Sequence, residues 1–194
     1  MIVLVIAIGY VLGSIPFALL LTRSRGIELR DVGSRNVGAA NVLRTAGVRR
    51  AVAVMLLDAA KGAAAVLVAR LLTDSVVVVT AGGVAAIVGH IYPAWLKFRG
   101  GKGVAASAGV FGMLAPSATA IAVVVFIVTI FVTRFISAGS VSGACALALA
   151  TLTVDAPDPV VAGAFTAALL VVHRHRENLW RLMAGTERRI GLRL

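Results

Sequence analysis

The chain has 194 residues, of which 60% are hydrophobic and only 14% are charged. Soluble domains are about 45–50% apolar, so this composition excludes an ordinary soluble protein and predicts an all-α integral membrane protein. The net charge of +11 would favour a nucleic-acid partner in a soluble protein. Here the positive-inside rule explains that charge, and we expect no nucleic-acid binding. The single cysteine, Cys145, excludes an internal disulfide framework and a multi-cysteine metal site.

The predicted membrane crossings follow from where charges interrupt the apolar runs. Residues 1–22 form an uncharged run long enough to cross a bilayer, and the first basic residues come after it. We interpret this run as an uncleaved anchor with its N-terminus outside. Basic clusters at 23–50, 97–102, 134 and 174–193 indicate the cytoplasmic side, and Asp74, Asp155 and Asp158 mark the other side. Further crossings are predicted at residues 51–72, 76–96, 138–153 and 160–173.

The segment 104–133 is longer than one crossing needs and shorter than two full crossings need. A single crossing would reverse every later loop and export the Arg-rich C-terminus, which contradicts the charge pattern. A helical hairpin broken near Pro116 preserves that pattern. The prediction is therefore one domain, residues 1–194, with about seven transmembrane helices, the N-terminus outside and the C-terminus cytoplasmic.

Two ionisable residues fall inside the second predicted helix. Asp58 and Lys61 are three residues apart and share one helix face, so they can form an ion pair. Ionisable residues inside a membrane helix are functional candidates. A structural ion pair between helices is an equally good interpretation, and the sequence leaves both open.

The first polar segment on the predicted cytoplasmic side covers residues 33–44. Arg44 can form paired hydrogen bonds to phosphate oxygens, while Ser34, Asn36 and Asn41 can bind hydroxyls or the remaining oxygens. This chemistry suits a polyol phosphate. The alternative is a capped surface loop with arginines at the lipid headgroups.

The second polar segment is the glycine-rich basic turn at residues 97–103. Glycines let backbone N–H groups approach an anion closely, and Lys102 adds positive charge. Because Gly103 follows Lys102 where a nucleotide-binding P-loop needs Ser or Thr, we do not expect ATP binding. An ordinary turn between membrane helices is the alternative.

The third polar segment, residues 175–187, follows the last predicted crossing. His175 and Asn178 share a face if the helix continues. A neutral imidazole can accept a proton or orient a hydroxyl, and an amide can hold that imidazole or a developing oxyanion. His173 and His90 compete as candidates, and each histidine can equally be a structural or interfacial residue.

Taken in order, these segments resemble the bacterial acyl-phosphate:glycerol-3-phosphate acyltransferase family, PlsY, over nearly the whole chain. The resemblance is carried by Gly13-Ser14-Ile15-Pro16 with Gly33-Ser34 through Asn41 and Arg44, by Gly89-His90 with Pro93 and Phe98 through Ala105, and by His175-x-x-Asn178 with Arg181-Leu182, Gly185 and Glu187. Asp58-x-x-Lys61-Gly62 and Ser137-x-x-Ser140 also match. The sequence differs from the family where Arg35 replaces a common Gly, and where Ala40 and Ala106 replace a common Thr.

The resemblance implies a multi-pass inner-membrane enzyme whose active site faces the cytoplasm. It would transfer an acyl group from acyl phosphate to the 1-hydroxyl of glycerol 3-phosphate, giving lysophosphatidic acid and inorganic phosphate in the first acylation of phospholipid synthesis. The implied catalytic residues are His175, Asn178, Ser34 and Arg44. The implied substrate-binding residues are Asn36, Asn41, Lys102, Gly100, Gly101, Gly103, Ser140, Ser137 and Lys97, and Glu187, Asp58 and Lys61 are assigned structural roles.

The donor that the resemblance implies shapes the expected mechanism. An acyl phosphate is a mixed anhydride with a good leaving group, so direct attack by the substrate hydroxyl suffices without an acyl-enzyme. We expect no cofactor and no required metal. Membrane lipid and an acyl-phosphate-producing enzyme are the expected partners.

Two other classes of protein remain as alternatives. A small transporter of an anionic, phosphate-containing solute would also place arginines and intramembrane charges along a pathway. Its site must open to both sides, commonly between inverted repeats that are not visible in this sequence, whereas these motifs gather on one side. A membrane scaffold would need none of the three polar segments.

Overall fold

The computed structural model describes residues 1–23 and 26–191, and this part of the chain is helical without strands. Arg25 and Arg193, two of the predicted cytoplasmic charges, lie outside the described residues. The helices are α1 (Ile2–Gly13), α2 (Phe17–Arg23), α3 (Ala39–Ala46), α4 (Val48–Leu72), α5 (Val76–Ile91), α6 (Val104–Leu114), α7 (Pro116–Thr133), α8 (Ile136–Thr153), α9 (Asp158–Arg174) and α10 (Arg176–Met183), with a 3-10 turn at Ala94–Leu96.

Five helical segments of the described chain are long and apolar enough to cross a membrane. They are Ile2–Arg23, Val48–Leu72, Val76–Leu96, Pro116–Thr133 and Ile136–Thr153, and Val104–Leu114 is a shorter apolar helix. The prediction of an all-α membrane protein is confirmed. Since lipid offers no hydrogen-bond partners to backbone groups, helices are the expected solution for such a chain.

The first predicted crossing is interrupted, which the hydropathy of residues 1–22 did not indicate. α1 ends at Gly13 and α2 begins at Phe17. Pro16 lacks an N–H group and disfavours helical geometry at Ile15, so the helical hydrogen bonds stop there. The freed Ile15 carbonyl accepts a hydrogen bond of 2.7 Å from the Lys61 ammonium.

The predicted break near Pro116 is confirmed. α6 ends at Leu114 and α7 begins at Pro116, but α6 packs mainly against α4, whereas α7 packs mainly against α8. Glycines allow the close approach of α4 and α6. A Cβ on Gly109 would collide with the Ala59 carbonyl, and one on Gly62 with the Ala106 carbonyl.

The polar segment after α2 is more ordered than the predicted loop. It contains the short helix α3, and Leu29 and Val42 are fully buried in a small apolar cluster with Val54 of α4. The main core lies between the longer helices and includes Phe111 and Ile87. The two clusters hold the ends of the crossings, and thereby the three polar segments, in fixed positions.

Candidate active site

A chain of hydrogen bonds joins the second and third polar segments. Lys102, before α6, donates to the side-chain oxygen of Asn178 in α10. The Asn178 amide donates in turn to Glu187 Oε1 at 2.6 Å. Arg181 Nε donates to Glu187 Oε2 at 2.7 Å, and the Ser137 hydroxyl of α8 donates to Oε1 at 2.9 Å. Both the oxygen and the nitrogen of the Asn178 amide are therefore hydrogen-bonded. The bond to its oxygen fixes the orientation of the Lys102 ammonium.

Glu187 is the acceptor on which this network converges. Burial alone would raise the pKa of its carboxyl, but the hydrogen bonds from Asn178, Arg181 and Ser137 lower the pKa below its ordinary value. It is therefore a carboxylate at neutral pH. Glu187 thereby joins α8 and α10, and its structural role stays a prediction.

His175 lies at the junction of α9 and α10 and is only 3% exposed. Its Nδ1 donates to the Val171 carbonyl at 2.8 Å, because a carbonyl can only accept, and this leaves Nε2 as an acceptor. Burial and the nearby positive charge of Lys102 lower the pKa of His175 to about 4, although the Val171 bond opposes the shift. The imidazole is therefore neutral at pH 7. The competing His173 is exposed and lies against Arg176.

Arg44 of the first segment shares the electrostatic environment of this chain of hydrogen bonds. Burial lowers the pKa of Lys102 to about 8, with Arg181, Arg174 and Arg44 lowering it further and Glu187 raising it. Desolvation also lowers the pKa of Arg44, and its charged neighbours include Glu187 and Arg181. Several cations thus surround one carboxylate, and the resulting positive potential favours an anionic ligand.

The glycine turn uses its amides differently from the prediction. The N–H groups of Gly100 and Gly101 donate to the carbonyls of Ile91 and His90, each at 3.0 Å, and fasten the turn to the end of α5. These two amides therefore do not converge on an anion. Gly103, with φ of +88°, caps α6 without a side-chain hydrogen bond. Lys102 and the N-terminal amides of α6 are the groups of this turn that are suited to bind an anion.

Asn41 belongs to the internal structure of the first segment. It is 1% exposed, its oxygen accepts from the Ser34 N–H at 2.8 Å, and its amide donates to the carbonyls of Leu29 (3.0 Å) and Val32 (3.2 Å). This burial differs from the direct substrate contact expected for Asn41. The Ser34 side chain is exposed and that of Asn36 is partly exposed, so both remain available to a ligand.

Two glycine positions show how this segment is shaped. Gly33 has φ of +61°, and a Cβ there would meet the Asn41 side-chain oxygen. Arg35 has φ of +58°, a left-handed conformation that glycine adopts without strain. Glycine would fit the observed backbone at this position better than arginine does.

Two further predicted ligands, Ser140 and Lys97, make no hydrogen bond to this chain in the described structure. Ser140 is buried in α8, and its hydroxyl donates to the Ile136 carbonyl of the same helix at 2.8 Å. Lys97 is exposed at the start of the glycine turn, in a left-handed conformation. Within residues 1–23 and 26–191, no three His, Cys, Asp or Glu side chains cluster as metal ligands.

Arg174 was missed as a site residue by the sequence analysis. It donates to the carbonyls of Gly100 and Gly101, both at 3.4 Å, and its guanidinium lies 5.5 Å from the centroid of the Tyr92 ring. Its spacing of four from Asn178 was the available signal, because residues at that spacing share a helix face. Arg174 therefore ties α9 to the glycine turn.

The predicted ion pair inside the second crossing is confirmed. Lys61 Nζ lies 2.7 Å from Asp58 Oδ1, and both side chains are 4% exposed. Lys61 also lies 5.7 Å from the centroid of the Phe17 ring. The pair therefore links α4 to the interruption between α1 and α2.

Comparison with known proteins identifies the family. A model of the family described as glycerol-3-phosphate acyltransferase matches residues 3–185. The chain belongs to this family. The resemblance drawn from the three polar segments is thereby confirmed.

Relatives in the family match over nearly their whole length. The glycerol-3-phosphate acyltransferase of Myxococcus xanthus is 46% identical over 95% of this chain and 97% of its own. That of Thermus thermophilus is 45% identical over 96% of this chain and 94% of its own.

Two solved structures share the fold. The glycerol 3-phosphate form of PlsY (YgiH), an integral membrane glycerol 3-phosphate acyltransferase, superposes with a TM-score of 0.93 at 36% identity, covering 98% of this chain and 96% of that one. The lysophosphatidic acid form of PlsY superposes with a TM-score of 0.91 at 34% identity, covering 98% and 95%.

Proposed function

We propose that this glycerol-3-phosphate acyltransferase uses acyl phosphate as its donor and acylates the 1-hydroxyl of glycerol 3-phosphate. The products would be lysophosphatidic acid and inorganic phosphate, as in the first acylation of phospholipid synthesis. The observation that carries this proposal is the Lys102–Asn178–Glu187 chain beside a neutral His175. It supplies a positioned cation and a hydrogen-bond acceptor without an activated enzyme nucleophile.

The phosphate of the donor binds Lys102 and the N-terminus of α6 in this proposal. Lys102 gives one hydrogen bond to Asn178, which leaves two of its three ammonium protons for phosphate oxygens. The amides at the start of α6 add a favourable dipole for negative charge. Both groups would stabilise the charge that builds up on the departing phosphate.

The phosphate of glycerol 3-phosphate binds Arg44 in this proposal, and Ser34 and Asn36 contact its remaining polar groups. Arg44 shares the electrostatic environment of Lys102 and Glu187, so the two substrates would bind side by side. Asn41 contributes by holding the backbone of Ser34. The description of the family as glycerol-3-phosphate acyltransferase and the two ligand forms of PlsY support this acceptor.

The chemical step is a direct acyl transfer. The 1-hydroxyl oxygen attacks the acyl carbonyl carbon, the bond from that carbon to the phosphate oxygen breaks, and phosphate leaves with the hydroxyl proton. Nε2 of His175 accepts the hydrogen bond of the attacking hydroxyl and orients it. With a pKa of about 4, this imidazole is a weak base at neutral pH, which supports the donor's own phosphate as the final proton acceptor.

The site faces the cytoplasm of the inner membrane in this proposal, with the N-terminus outside and about seven crossings. The arginine-rich segments around the site support this orientation. A cytoplasmic site can receive acyl phosphate from the enzyme that produces it. Single cysteines placed in a Cys145→Ala background at positions 35 and 74 test the orientation. A membrane-impermeant thiol reagent added to intact cells should label only position 74.

Acyl transfer by the purified protein in detergent is the decisive measurement. Acyl phosphate, acyl-CoA and acyl carrier protein thioesters are compared as donors to labelled glycerol 3-phosphate. We expect product from acyl phosphate alone, its loss in Lys102→Ala, and its retention in Arg49→Ala, which removes an exposed positive charge at the start of α4. Activity only with a thioester would contradict the donor, and no transfer by folded protein would favour the transporter.

His175→Gln tests the role of the imidazole. Glutamine keeps a hydrogen-bond acceptor but cannot accept a proton at neutral pH. Substantial residual turnover supports an orienting role. Complete loss of turnover with unchanged binding of both substrates would instead make His175 the general base.

A further inference from the structure

A buried polar cluster lies directly below the glycine turn, outside the groups used in the mechanism. Asp58, Lys61 and His90 are all less than a tenth exposed. Asp58 Oδ1 lies 2.7 Å from Lys61 Nζ and 3.5 Å from His90 Nδ1. A carboxylate of α4 therefore stands between a lysine of its own helix and a histidine near the end of α5.

The His90 ring forms the floor of the glycine turn. A Cβ built on Gly101 would collide with Nε2 of His90 and would lie 2.8 Å from its Cε1 and 3.1 Å from its Cδ2. The backbone carbonyl of His90 also accepts the Gly101 N–H at 3.0 Å. The residue that precedes Lys102 is thus held both by the backbone and by the side chain of His90.

The chemistry of His90 argues against simple packing. Its buried Nδ1 lies 3.5 Å from Asp58 Oδ1, a long contact, and has no other hydrogen-bond partner among the described residues. An apolar side chain of similar size would avoid the free-energy cost of such a group. A cavity of about 10 Å³ lies beside the ring and is lined by Asp58, Lys61 and Gly101 among others.

We infer that His90, held by the Asp58–Lys61 pair, is a positioning residue for the anion-binding turn. The ion pair fixes the imidazole against the interruption after α1, where Lys61 binds the Ile15 carbonyl. The imidazole limits how closely the backbone of Gly101 approaches α5. The position of Gly101 in turn determines where the Lys102 side chain points. This inference rests on the proposed role of Lys102 in binding the donor phosphate.

Paired glycine substitutions test the contact. In Gly101→Ala the new methyl group meets the His90 ring, whereas in Gly100→Ala it meets the backbone carbonyls of His90 and Ile91. Removing the imidazole by His90→Ala should therefore relieve the steric clash of Gly101→Ala. The clash of Gly100→Ala with the backbone should remain. We expect Gly101→Ala to raise the KM for acyl phosphate on the order of 100-fold, and Gly101→Ala/His90→Ala to bring it back to about tenfold, the level of His90→Ala alone.

His90→Ala alone, and Asp58→Asn/Lys61→Met, test positioning itself. The double variant removes both charges together, so that neither is left buried without its partner. Each should raise the KM for acyl phosphate about tenfold, with the KM for glycerol 3-phosphate nearly unchanged. Both variants also lose buried contacts, including the Lys61–Ile15 hydrogen bond in the double variant, so a lower unfolding midpoint is expected whatever the role. A purely structural role would lower the amount of active protein without moving the KM.

The outcomes separate this inference from the proposed function. The rise of the unfolding midpoint caused by inorganic phosphate needs no turnover, and it should be smaller in Gly101→Ala and partly restored by His90→Ala. If that pattern holds but acyl phosphate is not a donor, the positioning role stands and the proposed donor is wrong. If only the KM for glycerol 3-phosphate rises, the positioning role of His90 is supported, and the glycine turn binds the phosphate of the acceptor instead of that of the donor. The inference is overturned if adding His90→Ala to Gly101→Ala neither lowers the KM for acyl phosphate nor restores the phosphate-induced rise of the unfolding midpoint.

Discussion

Replacing Glu187 by glutamine tests the electrostatic coupling within the site. The carboxylate accepts hydrogen bonds from Ser137, Asn178 and Arg181 and raises the pKa of Lys102 against the effect of burial. Glutamine keeps the size of the side chain, and its amide oxygen can still accept from Ser137 and Asn178. The substitution therefore removes mainly the negative charge.

The expected effect is a lower pKa for Lys102. An opposite charge within about 4–6 Å shifts a pKa by about 1–3, and Asn178 lies between the two groups, so we expect the lower end of that range. The pKa of Lys102 should fall from about 8 to about 7 in Glu187→Gln, equivalent to about 1.4 kcal/mol. Phosphate binds the protonated lysine, so its affinity is full below this pKa and declines as the pH rises through it.

Inhibition of acyl transfer by inorganic phosphate measures this dependence. The inhibition constant is compared from about pH 6 to pH 10 in the wild type, Glu187→Gln and Lys102→Arg. The ionisation of phosphate itself is common to all three proteins, so differences between them report on the protein. Lys102→Arg should show no alkaline decline, because a guanidinium stays protonated throughout this range.

Two results would refute the reasoning. An equal alkaline midpoint in the wild type and Glu187→Gln would show that Glu187 does not support the charge of Lys102. An alkaline decline that persists in Lys102→Arg would assign it to another group. The unfolding midpoint should fall only slightly in Glu187→Gln, since Arg181 is 41% exposed and such an ion pair contributes about 1 kcal/mol or less.

Three further substitutions test stability, each by thermal unfolding in detergent. His175 protonates near pH 6.5 when unfolded but near 4 when folded, so stability is full above pH 6.5 and declines by up to about 3 kcal/mol toward pH 4; His175→Gln should lack this component, and an unchanged pH dependence would contradict the burial argument. Asn41→Ala removes three buried hydrogen bonds and should cost about 3 kcal/mol, whereas Asn36→Ala should cost little. Gly109→Ala forces α6 away from α4 and should cost about 1–3 kcal/mol, while Gly112→Ala, which has nothing within 4 Å of the new methyl group, should be neutral or stabilising.

The sequence predicts the helices where one local property decides them. Hydropathy locates the longer crossings from residues close together in the chain. The break near Pro116 is predicted from the charges of all the later loops together with the local effect of proline. α3 was not predicted, since its eight residues are too few for a clear apolar period. Pro16 is a local signal of the interruption after Gly13, but the hydropathy of residues 1–22 does not show it.

The sequence indicates which residues belong to the candidate site, but not which of them contact one another across the fold. The spacing of His175 and Asn178 indicated a shared face, and the contact of Asn178 with Glu187 is nearly local. By contrast, the Ser137–Glu187 bond spans 50 positions and the Lys102–Asn178 bond spans 76, and such pairings depend on how helices pack. The donation of the Gly100 and Gly101 amides to the end of α5 has the same origin.

Glu187 lies outside every long apolar helix of the described chain, yet its carboxylate holds the Asn178 amide. Insertion into the membrane and completion of the hydrogen-bonded chain are therefore separable. A stop codon after Gly185 would leave all the long helices intact and remove the carboxylate, which would produce a stably inserted protein without acyl transfer activity.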